Sequence, residues 1–154
     1  MATTKGSQPQ GRIKAISVSK EKGTRKANVP CAQLRADFGI IGDAHAANWH
    51  RQVSLLAAES IDKMAAKGAK VSPGDFAENI TTEGIDLLKL SVGNGLKLGK
   101  SVELEITQFG KKCHSRCEIF KQVGDCIMPR EGVFAKVTKP GSIRVGDVIE
   151  VIND

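Results

Sequence analysis

The 154-residue chain has no tyrosine, one tryptophan and five phenylalanines. A surface that stacks exposed bases needs several aromatic faces, so this scarcity argues against a nucleic-acid platform. A long run of lysine or arginine is also missing. The basic residues are scattered, with local density only at 20–26 (KEKGTRK) and 111–121. No apolar run approaches the roughly 20 residues a spanning helix needs; stretches such as VSLLAA are far shorter. The N-terminal MATTKGSQPQGR lacks the apolar segment of a secretory leader. The expectation is a cytoplasmic protein with no membrane partner, whose cysteines are reduced thiols. Phosphate-cradling glycine loops of the P-loop or dinucleotide type are absent, as is a G-x-S-x-G elbow. His45 and His50 are spaced H-x4-H without the glutamate of a metalloprotease helix.

What is present suits one domain large enough to bury a core without staples. The formal net charge of +6 fits either a lysine-rich solvated surface or an anionic ligand. Residues 1–11 read as a disordered tail and 12–154 as the domain. RIKAISVS (12–19) alternates as a strand, CAQLR begins like a short one, and QVSLLA (52–57) reads as a buried strand. SIDKMAAKG (60–68) predicts a short helix with Ile61, Met64 and Ala65 on one face and Gly68 as its stop. Pro73-Gly74 and Glu83-Gly84 mark turns. Segments 96–106 and 143–152 resemble each other, each a glycine turn feeding an alternating strand, and predict two similar bends in one sheet. The total is six to eight short strands with one or two short helices, which predicts a mainly β fold, a barrel or strongly bent sheet.

Three patches carry chemistry. GKKCHSRCEIFKQVGDCIMPR (110–130) holds Cys113, Cys117 and Cys126 with His114 and five basic residues. Nearby cations lower a thiol's pKa and favour the thiolate, which is both nucleophile and soft-metal ligand. Cys117 follows Arg116 directly and suits that role. A structural zinc site using Cys113, Cys117 and either Cys126 or His114 is the alternative, although the second close cysteine pair of such sites is missing. Cys31, after Pro30, reads as a small buried hydrophobe. In GDAHAANWHRQVSLL (42–56), His45, His50 and Arg51 precede a buried strand and could hold an anion, with Trp49 packing or flanking a planar ligand. In GDFAENITTEG (74–84), Asp75, Glu78 and Asn79 could serve polar recognition or simply shape the turn.

The patches in this order, followed by GVFAKV and IRVGDVIEV, resemble the MOSC domain, the C-terminal domain of molybdenum cofactor sulfurases that also occurs alone in bacteria. The likeness covers roughly 12–152, with Ala77-Glu78-Asn79-Ile80-Thr81 as its GENLT-like segment. It implies a mostly antiparallel β-barrel with a few short helices. It also implies binding of the molybdenum cofactor (molybdopterin), with Cys117 carrying sulfur or ligating molybdenum. His45, His50, Arg51, Glu78, Asn79, Arg116 and Arg130 would then be cofactor-binding residues. Sulfur-transfer or molybdenum-dependent activity is one outcome of that resemblance; a non-enzymatic cofactor carrier or sensor is the other. The chain lacks the pyridoxal-phosphate lysine domain of the full sulfurases. A separate cysteine desulfurase or molybdoenzyme is therefore the expected partner, besides the cofactor or its precursor.

Overall fold

In the computed structural model, the described residues are 10–21, 26–68, 70–110 and 131–152. They form eleven strands: β1 (Gln10–Val18), β2 (Ala27–Val29), β3 (Cys31–Arg35), β4 (Gly39–Ile40), β5 (Val53–Ala57), β6 (Ile80–Glu83), β7 (Gly95–Leu98), β8 (Val102–Phe109), β9 (Val133–Lys139), β10 (Gly141–Arg144) and β11 (Val148–Ile152). One α-helix, α1 (Ala58–Ala66), and a single 3-10 turn at Leu87–Lys89 complete the described elements. The protein is mainly β, as the strand pattern predicts.

Seven strands close on themselves in the order β11-β7-β8-β9-β5-β6-β1, with β1 returning to β11 and β2 appended to β1. Closure removes the unpaired edges that an open sheet would expose. Gln10, Gly11 and Arg12 make the closing contacts, opposite Glu150, Ile149 and Val148. Gln10 and Gly11 thus belong to the barrel rather than to the expected tail. The pairings are antiparallel except β5 with β6, where Leu55 faces Ile80. Parallel neighbours need a long crossover, and α1 lies in that connection.

Alternation explains the core. Val102, Leu104 and Ile106 of β8 and Val133, Ala135 and Val137 of β9 point inward with Val53 and Leu55 of β5. The opposite face of the β5–β9 wall is covered too. Leu56 and Phe134 meet Ile61 and Met64 of α1 and Phe76 and Ala77 of the following loop. Coverage on both faces is why VSLLA is apolar at every position but Ser54, which is itself buried.

Four local expectations shift. The helix starts and ends two residues earlier than the sequence pattern suggests, and it buries Ser60, Ile61 and Met64 while Ala65 is exposed. Ser60 turns inward because its hydroxyl donates to the Glu131 carboxylate. Gly68 does terminate it, at φ +100°. The two similar segments are not two bends of one sheet. β7 and β8 form a barrel hairpin, whereas β10 joins the separate β10-β3-β4 sheet and only β11 returns to the barrel. Cys31 is exposed rather than buried, because β3 turns Leu34, not Cys31, to the core.

Candidate functional site

The site is built on the two loops that precede β5 and β6. The first begins at Asp43. Its carboxylate accepts the backbone N–H groups of Ser19 and His45, each at 3.0 Å, and the Lys26 ammonium at 2.7 Å. The Lys26 and Asp43 side chains have no solvent exposure. Burial opposes ionisation of Asp43, but the contacts from His45, Lys26 and Ser19 outweigh it and hold its pKa well below the usual carboxylate range. Lys26 Nζ also reaches Ser19 Oγ at 3.0 Å and His45 Nδ1 at 3.2 Å.

From this anchor the loop runs to Trp49, whose indole N–H donates to the His45 carbonyl at 2.8 Å. The Arg51 guanidinium carbon lies 4.6 Å from the Trp49 ring centre and 5.7 Å from that of Phe134. Two aromatic rings therefore fix the cation. Among the described residues it forms no hydrogen bond, and its Nε is buried without a partner. Beside it, exposed His50 meets the edge of Trp49, with ring centres 5.7 Å apart, and its Nε2 pairs with Gln108 Oε1 at 2.8 Å. The Thr107 hydroxyl donates to the His50 carbonyl. Gln108 Nε2 in turn donates to the Gly110 carbonyl at 2.6 Å. The Gly110 N–H donates to Gly132 O at 2.7 Å, joining the ends of β8 and β9. Segment 111–130 is connected to the barrel at this point.

The second loop turns on Gly74, at φ +95°, where a Cβ would come within 2.5 Å of the Lys26 carbonyl oxygen. Lys26 N–H donates to Gly74 O at 2.9 Å, so Lys26 touches both loops. Glu78 is fully buried. Its carboxylate accepts Gly74 N–H at 2.8 Å, Phe76 N–H at 3.3 Å and the Thr81 hydroxyl at 2.7 Å. Burial raises its pKa, and these neutral donors only partly offset that. Asn79 bridges two strands. Its side-chain carbonyl accepts Ser54 N–H at 3.0 Å and its amide donates to Ser17 O at 3.1 Å. It thereby satisfies backbone groups of β5 and β1 where β6 has yet to begin.

Of the residues singled out in the sequence, His45, His50 and Arg51 come together around Trp49. Glu78 and Asn79 lie inside the neighbouring loop and bond within the chain. Cys117, Arg116 and Arg130 lie outside the described residues, as do Cys113, Cys126 and His114. Sequence reasoning missed Lys26, Asp43 and Gln108. The aspartate two positions before His45 was the available signal for one of them. A single lysine in a charged loop gives no sign that it is buried. Among the described residues no three His, Cys, Asp or Glu side chains cluster as a metal site. No described helix is long and apolar enough to cross a membrane.

A concavity of about 640 Å³ lies between α1 and the 84–88 turn. Glu59, Asp86 and Glu131 line it, and its Lys63 is already paired with Glu131 at 2.8 Å. Its charge disfavours an anion, in contrast to the Arg51 side.

A closed mixed barrel whose loops hold an arginine against two aromatic rings defines a small β-barrel domain. The MOSC domain matches residues 42–150, and the chain belongs to that family, which is associated with the molybdenum cofactor. The fold is similar to that of the YuaD protein from Bacillus subtilis, at 19% identity and a TM-score of 0.78, covering 94% of this chain and 96% of that one. It is also similar to YiiM from Geobacillus stearothermophilus (17% identity, TM-score 0.70, 94% and 76% covered). YiiM from Escherichia coli is a further similar fold (17% identity, TM-score 0.66, 93% and 70% covered). No curated protein is a significant match to the chain.

Proposed function

We propose that the protein binds the molybdenum cofactor through an anion site centred on Arg51, and that Cys117 carries sulfur or ligates the metal. The observation that carries this reading is the Arg51 guanidinium, stacked on Trp49 and Phe134 with Nε buried and unpartnered. A buried N–H without an acceptor is costly, and a phosphate oxygen satisfies it. The planar guanidinium matches phosphate better than an ammonium does. These residues fit the phosphate-bearing pterin. His50, oriented by Gln108, is the neighbouring polar contact, and Arg116 and Arg130 add positive charge from segment 111–130. Glu78 and Asn79 support the loop. When bound, the cofactor would supply molybdenum as a soft acceptor for a thiolate.

The chain's own contribution is then threefold. Arg51 holds the anionic end of the ligand. The aromatic pair fixes the direction of the guanidinium. Cys117, in a cationic segment, is favoured as thiolate. The test is the metal content of protein purified from a molybdenum-replete host, native against Cys117→Ser. Near-stoichiometric molybdenum that is lost on substitution supports the reading. Molybdenum retained by the variant removes Cys117 as ligand. Stoichiometric zinc without molybdenum replaces the proposal with a structural metal site.

A further inference from the structure

Lys26 was not among the residues that sequence reasoning selected, yet it reaches more of the site than any other side chain described above. Its ammonium is a pure hydrogen-bond donor. It contacts Asp43 Oδ1 at 2.7 Å, Ser19 Oγ at 3.0 Å and His45 Nδ1 at 3.2 Å. Two consequences follow from those distances. With the ring proton on Nε2, His45 Nδ1 would accept from the Lys26 ammonium at this distance. Nδ1 also lies 3.8 Å from Asp43 Oδ2, farther than from Lys26 Nζ.

The second consequence concerns Arg51. Asp43, held by Lys26, accepts the His45 backbone N–H. The His45 carbonyl accepts the Trp49 indole N–H, and the Trp49 ring lies under the Arg51 guanidinium. Each contact fixes the next. On its main chain Lys26 also donates to Gly74, whose own N–H is bonded to Glu78. The lysine therefore joins the two loops that precede β5 and β6.

We propose that Lys26 is a positioning residue for the anion site: it orients Arg51 through Asp43, His45 and Trp49, and it fixes His45 as the Nε2–H tautomer. The proposal rests on the reading of Arg51 as the ligand anchor, but it can be tested without ligand. Trp49 is the only tryptophan and the chain has no tyrosine, so near-ultraviolet-excited emission reports this loop directly. In ligand-free protein, Lys26→Met shifts Trp49 emission to the red and raises its quenching by acrylamide. The His45 ring nitrogens, followed by 15N NMR, lose the single Nε2–H signature and show mixed tautomers.

Lys26→Met leaves a buried aspartate without its cation and risks unfolding. The double variant Lys26→Met with Asp43→Asn removes both charges and keeps the test decisive. It is expected to fold and still to show the red-shifted emission and the mixed tautomers. Ile143→Val, in the small sheet, is a destabilised control that leaves both signals native. A folded double variant with native Trp49 emission and a single His45 tautomer overturns the proposal. Titration with molybdopterin then separates the two readings. Native spectra that depend on Lys26 in a protein that does not bind molybdopterin sink the proposed function and leave the positioning role. Molybdopterin binding with spectra indifferent to Lys26 does the reverse.

Discussion

Asp43 and Glu78 are both buried loop carboxylates, each just before a barrel strand, and their pKa values move in opposite directions. Asp43 meets His45 and, at 2.7 Å, the Lys26 ammonium, and is driven well below the usual range despite its burial. Glu78 faces two backbone N–H groups and a hydroxyl, and burial pushes it up. A cation in contact offsets desolvation; neutral donors offset it only in part. The first loop is therefore an electrostatic clamp, and the second is a hydrogen-bonded turn that happens to use an acid.

The sharpest way to break this contrast is Lys26→Met. It leaves the Asp43 carboxylate buried and unpaired, which costs about 3–5 kcal/mol. Urea unfolding measures it, and a loss under about 1 kcal/mol would mean the pair is hydrated and the clamp is not one. Asn79→Ala comes next, at about 2–3 kcal/mol, because Ser54 N–H and Ser17 O lose partners inside the wall. A variant that unfolds like its parent would show that water replaces the bridge.

Glu78→Gln is the smallest of the three, about 1 kcal/mol at neutral pH. It keeps the shape but swaps one acceptor oxygen for an amide. The pH dependence gives the sign. A carboxyl with a raised folded pKa contributes stability below its ordinary value and loses it as pH rises through the raised one. Glu78→Gln therefore gains on the parent as pH rises above about 4. Asp43 works the other way: its contribution is present above about pH 4 and lost on acidification. Asp43→Asn falls behind the parent as pH rises through the acid range. Parallel urea titrations over pH decide it, and curves of the same sign for both variants would collapse the comparison.

The barrel was legible because alternation and glycine turns are local signals: RIKAISVS and VELEITQF announce their buried faces residue by residue. The family order of the three patches added the topology that local pattern lacks. What stayed hidden needed long-range contact. Gln10 and Gly11 look like tail until Glu150 and Ile149 pair with them. Residues 143–152 look like one bend until their halves part between two sheets. Lys26 sits in a stretch of lysines and arginines that reads as solvated, and only the fold returns it to Asp43. His50 and Arg51 are adjacent in the chain, so their grouping was readable. The stacking that fixes Arg51 was not, since Phe134 lies over eighty positions away in the chain.

The central claim is that Arg51 anchors an anionic ligand. The direct measurement is molybdopterin affinity for the native protein and for Arg51→Ala, each checked for an unchanged barrel by circular dichroism. Charge-assisted hydrogen bonds contribute about 1.5–3 kcal/mol, so affinity should fall roughly ten- to a hundredfold, while unfolding stability changes little. Equal affinity in the two proteins would contradict the claim and leave the pinned guanidinium as a packing feature of the loop.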